Sequence, residues 1–385
     1  MTTGADDLLS GQRDLFELPE EVVYLNCATM APQLRAVGEA GVEAIRRLRA
    51  PWRLRPADWF TGTEALRSAA ARLMGADAEG VAIVPAVSYG IAVAAANISL
   101  AEGRNVVVLE EQFPSNVYAW RELAAARGAE LRTVRREPRS AWTEGVLAAI
   151  DDDTAVVAVP NCHWTDGTLV DLAAVGERAR AVGAAFVVDA SQSLGAYPLD
   201  VGALRPDFLV SVGYKWQLGP YGLAYLYVDE SRRDGRPLEA SWMARADAED
   251  FAGQVRYVDA YRPGARRFDM GESSQFVLGP MALAALEQLH EWGVPRIQAT
   301  LGRLTARIAE GAAALGCEVV PPAQRVGHML GVRLPAGAGR ETLARRLEEE
   351  RIHVGLRGDA IRIAPHLHST PDDVERLLEI LRAVL

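Results

Sequence analysis

Short apolar runs rich in valine and isoleucine punctuate the chain at residues 81–84, 106–109, 155–159, 185–188, 208–211 and 223–228. Runs of this length that do not alternate with polar residues mark strands covered on both faces. Stretches with helical spacing of apolar positions separate several of them, among them residues 86–98 and 172–182. Strand and helix in alternation predict an α/β fold with a parallel or mostly parallel sheet. Beyond about Arg266 the texture changes. Longer helical patterns cover residues 280–292 and 296–315, segments at 319–334 and 341–351 follow, and a last helix starts at Pro371. This predicts an N-terminal arm at residues 1–22, a large α/β domain at 23–265 and a smaller α+β domain at 266–385, with no internal repeat, low-complexity tract or long linker.

In open α/β sheets ligands bind at the carboxyl ends of the strands, so the residues just past each run are the candidates for chemistry. Run 185–188 leads into Asp189-Ala-Ser-Gln192. A buried carboxylate there suits the protonated nitrogen of a pyridine cofactor, although aspartate is also a common loop or cap residue. Run 208–211 leads into Ser211-Val-Gly-Tyr-Lys215-Trp-Gln-Leu-Gly-Pro-Tyr-Gly222. Lys215 lies 26 positions past Asp189, one strand and one crossover on, and neighbouring parallel strands would set both residues over one pocket.

Residues 81–84 lead into Pro85-Ala-Val-Ser88-Tyr-Gly, a small-residue turn that opens a helix. Free N–H groups and the helix dipole suit a phosphate there, with the Ser88 hydroxyl as a further donor; an ordinary serine cap is the plainer alternative. In Glu110-Glu-Gln-Phe-Pro-Ser-Asn116, Phe113 sits on a loop at the same edge, either against a flat ring or as a loop anchor. His163 and Trp164, in Pro160-Asn-Cys-His-Trp-Thr-Asp-Gly167, follow another strand. Trp164 could face a substrate, and His163 is either an acid/base group or a satisfied structural histidine.

Composition sharpens one of these positions. The 41 basic residues are 40 arginines and a single lysine, Lys215. Compositional drift towards arginine accounts for positions that need only charge. Arginine stays protonated, whereas a desolvated lysine loses its proton and condenses with carbonyls, so the surviving lysine points to imine chemistry. The net charge of -10 argues against a nucleic-acid partner. The start carries Asp6 and Asp7 in place of a basic leader, and no apolar run is long enough to span a membrane, which reads as a soluble, cytoplasmic protein. Cys27, Cys162 and Cys317 are odd in number and far apart, so neither a disulfide framework nor a metal site is expected. No Gly-x-Gly-x-x-Gly or Walker sequence follows the early strands, which counts against a nucleotide-binding protein; a scaffold with the same sheet and no chemistry stays open.

The combined run Asp189…Gln192…Tyr214-Lys215…Gly219-Pro-Tyr-Gly222 resembles the class V aminotransferase family of fold-type I enzymes dependent on pyridoxal phosphate (PLP). Cysteine desulfurases, selenocysteine lyases, kynureninases and isopenicillin N epimerase-like proteins belong to it. The likeness extends from Tyr24-Leu-Asn26 to the C-terminus. It implies that Lys215 forms the Schiff base, Asp189 pairs with the pyridinium nitrogen and Gln192 reaches the phenolic oxygen. Ser88, the Val87 backbone and Tyr214 would hold the phosphate, and Phe113 would stack on the ring where desulfurases place histidine. Asn26 and Trp164 would stand beside the substrate.

The resemblance also implies a homodimer with active sites at the interface. Arg267-Phe-Asp-Met-Gly-Glu-Ser-Ser274 is similar to the segment that reaches the neighbour's phosphate, with Ser273 as the contact. Gly358-Asp-Ala-Ile-Arg362-Ile-Ala-Pro-His-Leu is similar to the strand whose arginine clamps the substrate α-carboxylate, which a planar guanidinium does bidentately. Three departures matter. Leu356-Arg-Gly-Asp-Ala-Ile361 holds no cysteine, which disfavours persulfide chemistry; Val212 replaces a serine that many relatives place before the lysine; and Tyr214 in place of histidine looks more like kynureninase. The implied activity on a small amino acid is transamination, with a Cα/Cβ lyase and then an epimerase as alternatives.

Overall fold

The computed structural model describes residues 8–136, 142–357 and 360–385. Its main sheet has seven strands: β1 (Val81–Val84), β2 (Asn105–Leu109), β3 (Glu130–Val134), β4 (Thr154–Pro160), β5 (Ala185–Asp189), β6 (Phe208–Val212) and β7 (Ala224–Val228). They lie in the order β1-β7-β6-β5-β4-β2-β3, and β7 alone runs antiparallel to its neighbours. The mostly parallel α/β sheet read from the sequence is what forms.

Both faces are apolar because successive side chains serve different cores. Ile83, Val107, Val157, Val188 and Leu209 pack on one side, under the helices Thr61–Met74, Leu172–Ala181 and Leu278–Trp292. Ala82, Val108, Val156, Val187 and Val210 pack on the other, against the helix Val87–Asn97 and Trp120. This is why the strand sequences are continuous apolar runs. β3 escapes that signature. It is the sheet's edge, only Val134 is buried, and Glu130, Arg132 and Thr133 are exposed or half-buried.

A second sheet of four antiparallel strands runs in the order Gly355–Arg357, Ala360–Ile363, Leu330–Arg333, Glu318–Val319. The segment 319–334 thus holds two strand pieces, and Pro321 and Pro322 interrupt any helix between them. The two apolar cores do not divide at a single point along the chain. Val23 and Leu25 pack in the second core, where Val23–Tyr24 pairs with Ile352–His353. Residues past 266 join the first core, since Leu278–Trp292 buries Ala282, Ala285, Leu286 and Leu289 there. The helix Val294–Ala314 links the two, with Ile297 and Leu301 in the first core and Ile308 and Ala312 in the second. Apolar surface, which a change of spacing in the sequence does not report, sets this division. Among the described residues no helix is long and apolar enough to cross a membrane.

Candidate active site

The carboxyl ends of β1, β2, β4, β5 and β6 surround a cavity of about 250 Å³. Val87, Ser88, Phe113, Trp164, Asp189, Gln192, Tyr214 and Lys215 all line it, so eight sequence-selected residues converge on one space.

Lys215 is presented by the turn that follows β6. Gly213 N–H donates to Leu223 O at 2.9 Å, Gly219 N–H to Gly213 O at 2.9 Å, and Leu218 N–H to Lys215 O at 3.1 Å. A Cβ on Gly213 or Gly219 would come within 3.2 Å of those same carbonyl oxygens, so a side chain at either position would press the loop apart by a few tenths of an ångström. Leu218 adopts φ 56°, a left-handed conformation that a branched side chain holds only where the surroundings enforce it. Burial lowers the Lys215 ammonium to about 8; Asp189 opposes the shift, and Arg362 and Arg357 add to it. Its Nζ lies 5.2 Å from the Phe113 ring centre and 5.8 Å from that of Tyr214.

Asp189 ends β5 and sits opposite Val210 of β6. One carboxylate oxygen accepts the Ser191 N–H at 3.0 Å, and no cation pairs with it at salt-bridge distance among the described residues. Burial raises its pKa, against the bonds from Ser191 and the charge of Lys215. A carboxylate in this state favours a positively charged N–H donor within the cavity.

At the other end, the helix Val87–Asn97 starts from Ala86 in extended conformation, and no side chain caps it. Ser88 is therefore inside the first turn and is not the cap. The uncapped N–H groups at Val87 and Ser88 border the cavity and suit an anion. Tyr214 and Tyr221, with ring centres 4.6 Å apart, form the wall nearby. Gln192 is fixed on two sides: its Nε2 donates to Ala28 O at 3.0 Å and its Oε1 accepts from Trp216 Nε1 at 2.9 Å. One amide N–H is left for a ligand oxygen.

Arg362 comes from the second sheet and is 1% exposed. Its Nη1 donates to Trp164 O at 2.9 Å and its Nη2 to Thr29 Oγ1 at 2.6 Å, with Asn26 Oδ1 at 3.4 Å. Its Nε has no partner, and among the described residues no carboxylate pairs with it. Burial lowers its pKa to about 9, and the charge of Arg357 contributes. Gly355, across the strand pair, makes room: a Cβ there would lie 3.3 Å from Arg362 Nε. Trp164 is pinned by its own Nε1 donating to Glu111 O at 2.7 Å, and it meets Phe113 edge-on at 5.6 Å.

Four selected residues do not line the cavity: Asn26 and Arg362, which meet each other behind Trp164, and His163 and Ser273. The Nδ1 of His163 bonds Thr165 Oγ1 at 2.7 Å, its Nε2 bonds Glu110 O at 3.2 Å, and its ring stacks on Trp142 at 5.1 Å. Both nitrogens are engaged within the β2–β4 loops and burial lowers its pKa, an arrangement that fits the structural alternative. Ser273 is buried away from the cavity, where its carbonyl accepts from Thr63 Oγ1 at 3.0 Å. Cys162 does border the cavity, but burial pushes its thiol well above the ordinary range, as it does for Cys27. Gly358 and Asp359 of the arginine-strand motif lie outside the described residues. Ser191, Thr29 and Arg357 were not selected from the sequence. Ser191 stood in view inside Asp189-Ala-Ser-Gln192, Thr29 three residues past Asn26, and Arg357 had no signal among forty arginines.

Residues 55–371 match the class V aminotransferases, and the chain belongs to that family of enzymes. An uncharacterized aminotransferase of Bacillus subtilis is 28% identical over 83% of this chain and 83% of its own. A kynureninase of Deinococcus radiodurans is 31% identical over 69% of this chain and 65% of its own. Among solved structures, C-DES, determined with glycine covalently linked to its PLP cofactor, superposes with a TM-score of 0.87 at 19% identity, covering 98% of this chain and all of its own. The fold is therefore the fold-type I architecture expected from the sequence.

Class V enzymes use PLP, and the cavity fits it. Lys215 supplies the buried amine, Asp189 the unpaired carboxylate, Gln192 a free amide N–H and the 87–88 turn an uncapped helix end. The depressed pKa has a testable consequence. Only the neutral amine attacks an aldehyde, and with a pKa of about 8 this form is a minority at pH 7. Cofactor capture by the apoprotein should therefore accelerate about tenfold per pH unit below 8 and level off above it. Rapid-mixing absorbance between pH 6 and 9.5 measures this, and a rate still climbing at pH 9.5 would show an unshifted lysine.

Proposed function

We propose that the protein is a PLP-dependent aminotransferase acting on a small amino acid, with PLP as electron sink for the bonds at Cα. The observation that carries this reading is the Lys215 amine in the cavity together with Arg362, a buried guanidinium without a carboxylate that stands behind the cavity wall, bonded to the carbonyl of the lining residue Trp164. Arg362, steadied by Asn26 and Thr29, holds the substrate α-carboxylate and so orients Cα. Lys215 takes the proton from Cα and returns it at the cofactor. Trp164 and Phe113 wall the space against water.

Transamination is favoured over epimerisation because a single group suffices for it. Inverting Cα requires a second acid on the opposite face. The other ionisable groups on the wall include the Cys162 thiol and the Tyr214 phenol, both pushed upward by burial. A lyase is the second reading, favoured by Tyr214 and by the kynureninase likeness. Persulfide desulfuration lacks its cysteine before Arg362. A panel of amino acids incubated with and without 2-oxo acids separates these outcomes. Amino transfer that depends on an oxo acid is the expected result; release of ammonia, sulfide or alanine without an acceptor would replace this reading with the lyase. We further propose a homodimer in which Ser273 of one protomer meets the other's phosphate, as the family likeness implies. Light scattering that returns the monomer mass of 41.6 kDa would remove it.

A further inference from the structure

We propose that Arg357 selects a dicarboxylic substrate, receiving the distal carboxylate of an acidic amino acid or its oxo acid while Arg362 holds the α-carboxylate. The inference rests on the reading of Arg362 as the carboxylate clamp. The two arginines stand on paired strands of the second sheet, where Arg357 is opposite Ala360 and Arg362 opposite Gly355. Both guanidinium groups lie against the Trp164 indole, at 5.2 Å and 5.8 Å from its centre. Both also approach Thr29 Oγ1, Arg362 at 2.6 Å and Arg357 at 3.5 Å.

Like charges gathered in this way repel one another unless anions lie between them. Two other buried arginines are paired with carboxylates: Arg67 meets Asp269 at 2.7 Å, and Arg266 meets Glu64 and Glu79, each at 2.7 Å. A third, Arg325, is satisfied by the carbonyls of Val320 and Val326 and by Thr305, and its Nε is bonded, unlike those of Arg357 and Arg362. Among the described residues neither Arg357 nor Arg362 has such a partner, although the chain carries 51 acidic residues. The Nε atoms of both are buried without a hydrogen bond. One α-carboxylate neutralises one of the two cations. The second is left for a second anionic group on the same molecule.

The order of the two follows from depth. Arg362 is buried, and its charge reaches Lys215, so it takes the carboxylate attached to the reacting carbon. Arg357 is only half-buried and forms the outer position, suited to the far end of a short chain. Trp164, fixed by Glu111, offers the apolar surface on which intervening methylenes rest.

Calorimetric binding of unreactive carboxylates to the PLP-loaded protein tests this without catalysis, with butyrate and propionate set against succinate, glutarate and adipate. In the wild type at least one dicarboxylate should bind about tenfold more tightly than its monocarboxylate counterpart, the worth of one charge-assisted contact. Arg357→Gln should erase that preference and leave the monocarboxylate Kd unchanged, while Arg357→Lys keeps part of it. No preference in the wild type, a preference that survives Arg357→Gln, or an equal loss of both ligand classes in that variant would overturn the assignment. Arg362→Gln should weaken mono- and dicarboxylates together; if it changes neither, the clamp reading itself fails, whatever Arg357 does.

Discussion

Lys215→Arg should give a folded, colourless protein whose turnover is lower by about 10²–10⁴-fold, the range of a positioned proton-transfer group. The substitution keeps the positive charge and most of the aliphatic stem, and so isolates the feature that forty other positions in this chain do not require. At Lys215, burial brings the ammonium down to about 8, so a neutral amine is accessible near physiological pH. A guanidinium stays protonated under the same desolvation and can neither condense with an aldehyde nor carry a proton at Cα. The visible absorption of the wild type and its absence from the variant are read on purified protein reconstituted with PLP. A variant that keeps the wild-type spectrum, or turnover within tenfold of it, would remove Lys215 from the chemistry. Lys215→Ala with added small amines gives an independent check, because restored turnover locates the defect in the missing amine.

That lysine was legible in the sequence for a reason that applies to few other residues here. Its turn is crowded at Gly213 and Gly219, where a Cβ would press on backbone carbonyls, and its strand is apolar apart from Ser211. Asp189 is equally legible, since it ends β5 in register with β6 and the Asp-to-Lys spacing follows from one crossover. The sequence is silent where structure depends on surfaces meeting from far apart. β3 has the polar texture of an exposed edge. The stitching of Val23–Tyr24 to Ile352–His353 brings together residues more than three hundred positions apart and carries Asn26 and Thr29 to Arg362. For His163 a strand-end position does not reveal where the ring points; Trp142, Thr165 and Glu110 decide that. Arginine type says nothing about burial in a chain with forty of them, so Arg67 and Arg357 become distinct only in three dimensions, whereas Arg362 stood out through its motif.

Arg67 shows how much one of these arginines can matter. Arg67→Ala should cost about 3–5 kcal/mol of stability, the penalty for leaving a buried charge without its partner. Arg67 projects from the helix Thr61–Met74 with no exposed surface, and it donates to Asp269 at 3.0 Å and 2.7 Å and to the Val81 carbonyl. Asp269 in turn accepts the Ile83 N–H at 2.8 Å, and Met270 N–H donates to Ile83 O at 2.9 Å. The ion pair therefore fastens β1, the strand that delivers Pro85, Ala86 and the uncapped helix end at Val87 to the cavity. Arg67→Ala leaves the Asp269 carboxylate buried without its cation; Asp269→Asn keeps an acceptor for Ile83 but leaves the guanidinium only Glu64, 3.4 Å from its Nε and shared with Arg266. Neither can be relieved by solvent, since Asp269 is 7% exposed and Arg67 0%. Denaturant titration of each single variant and of the double variant gives the coupling between them. A strong, favourable coupling is expected, together with weaker retention of PLP as β1 loosens under the phosphate cradle. A cost below about 1 kcal/mol, in the range of an exposed pair, would mean that water reaches Arg67 and that β1 is held by its strand pairing alone.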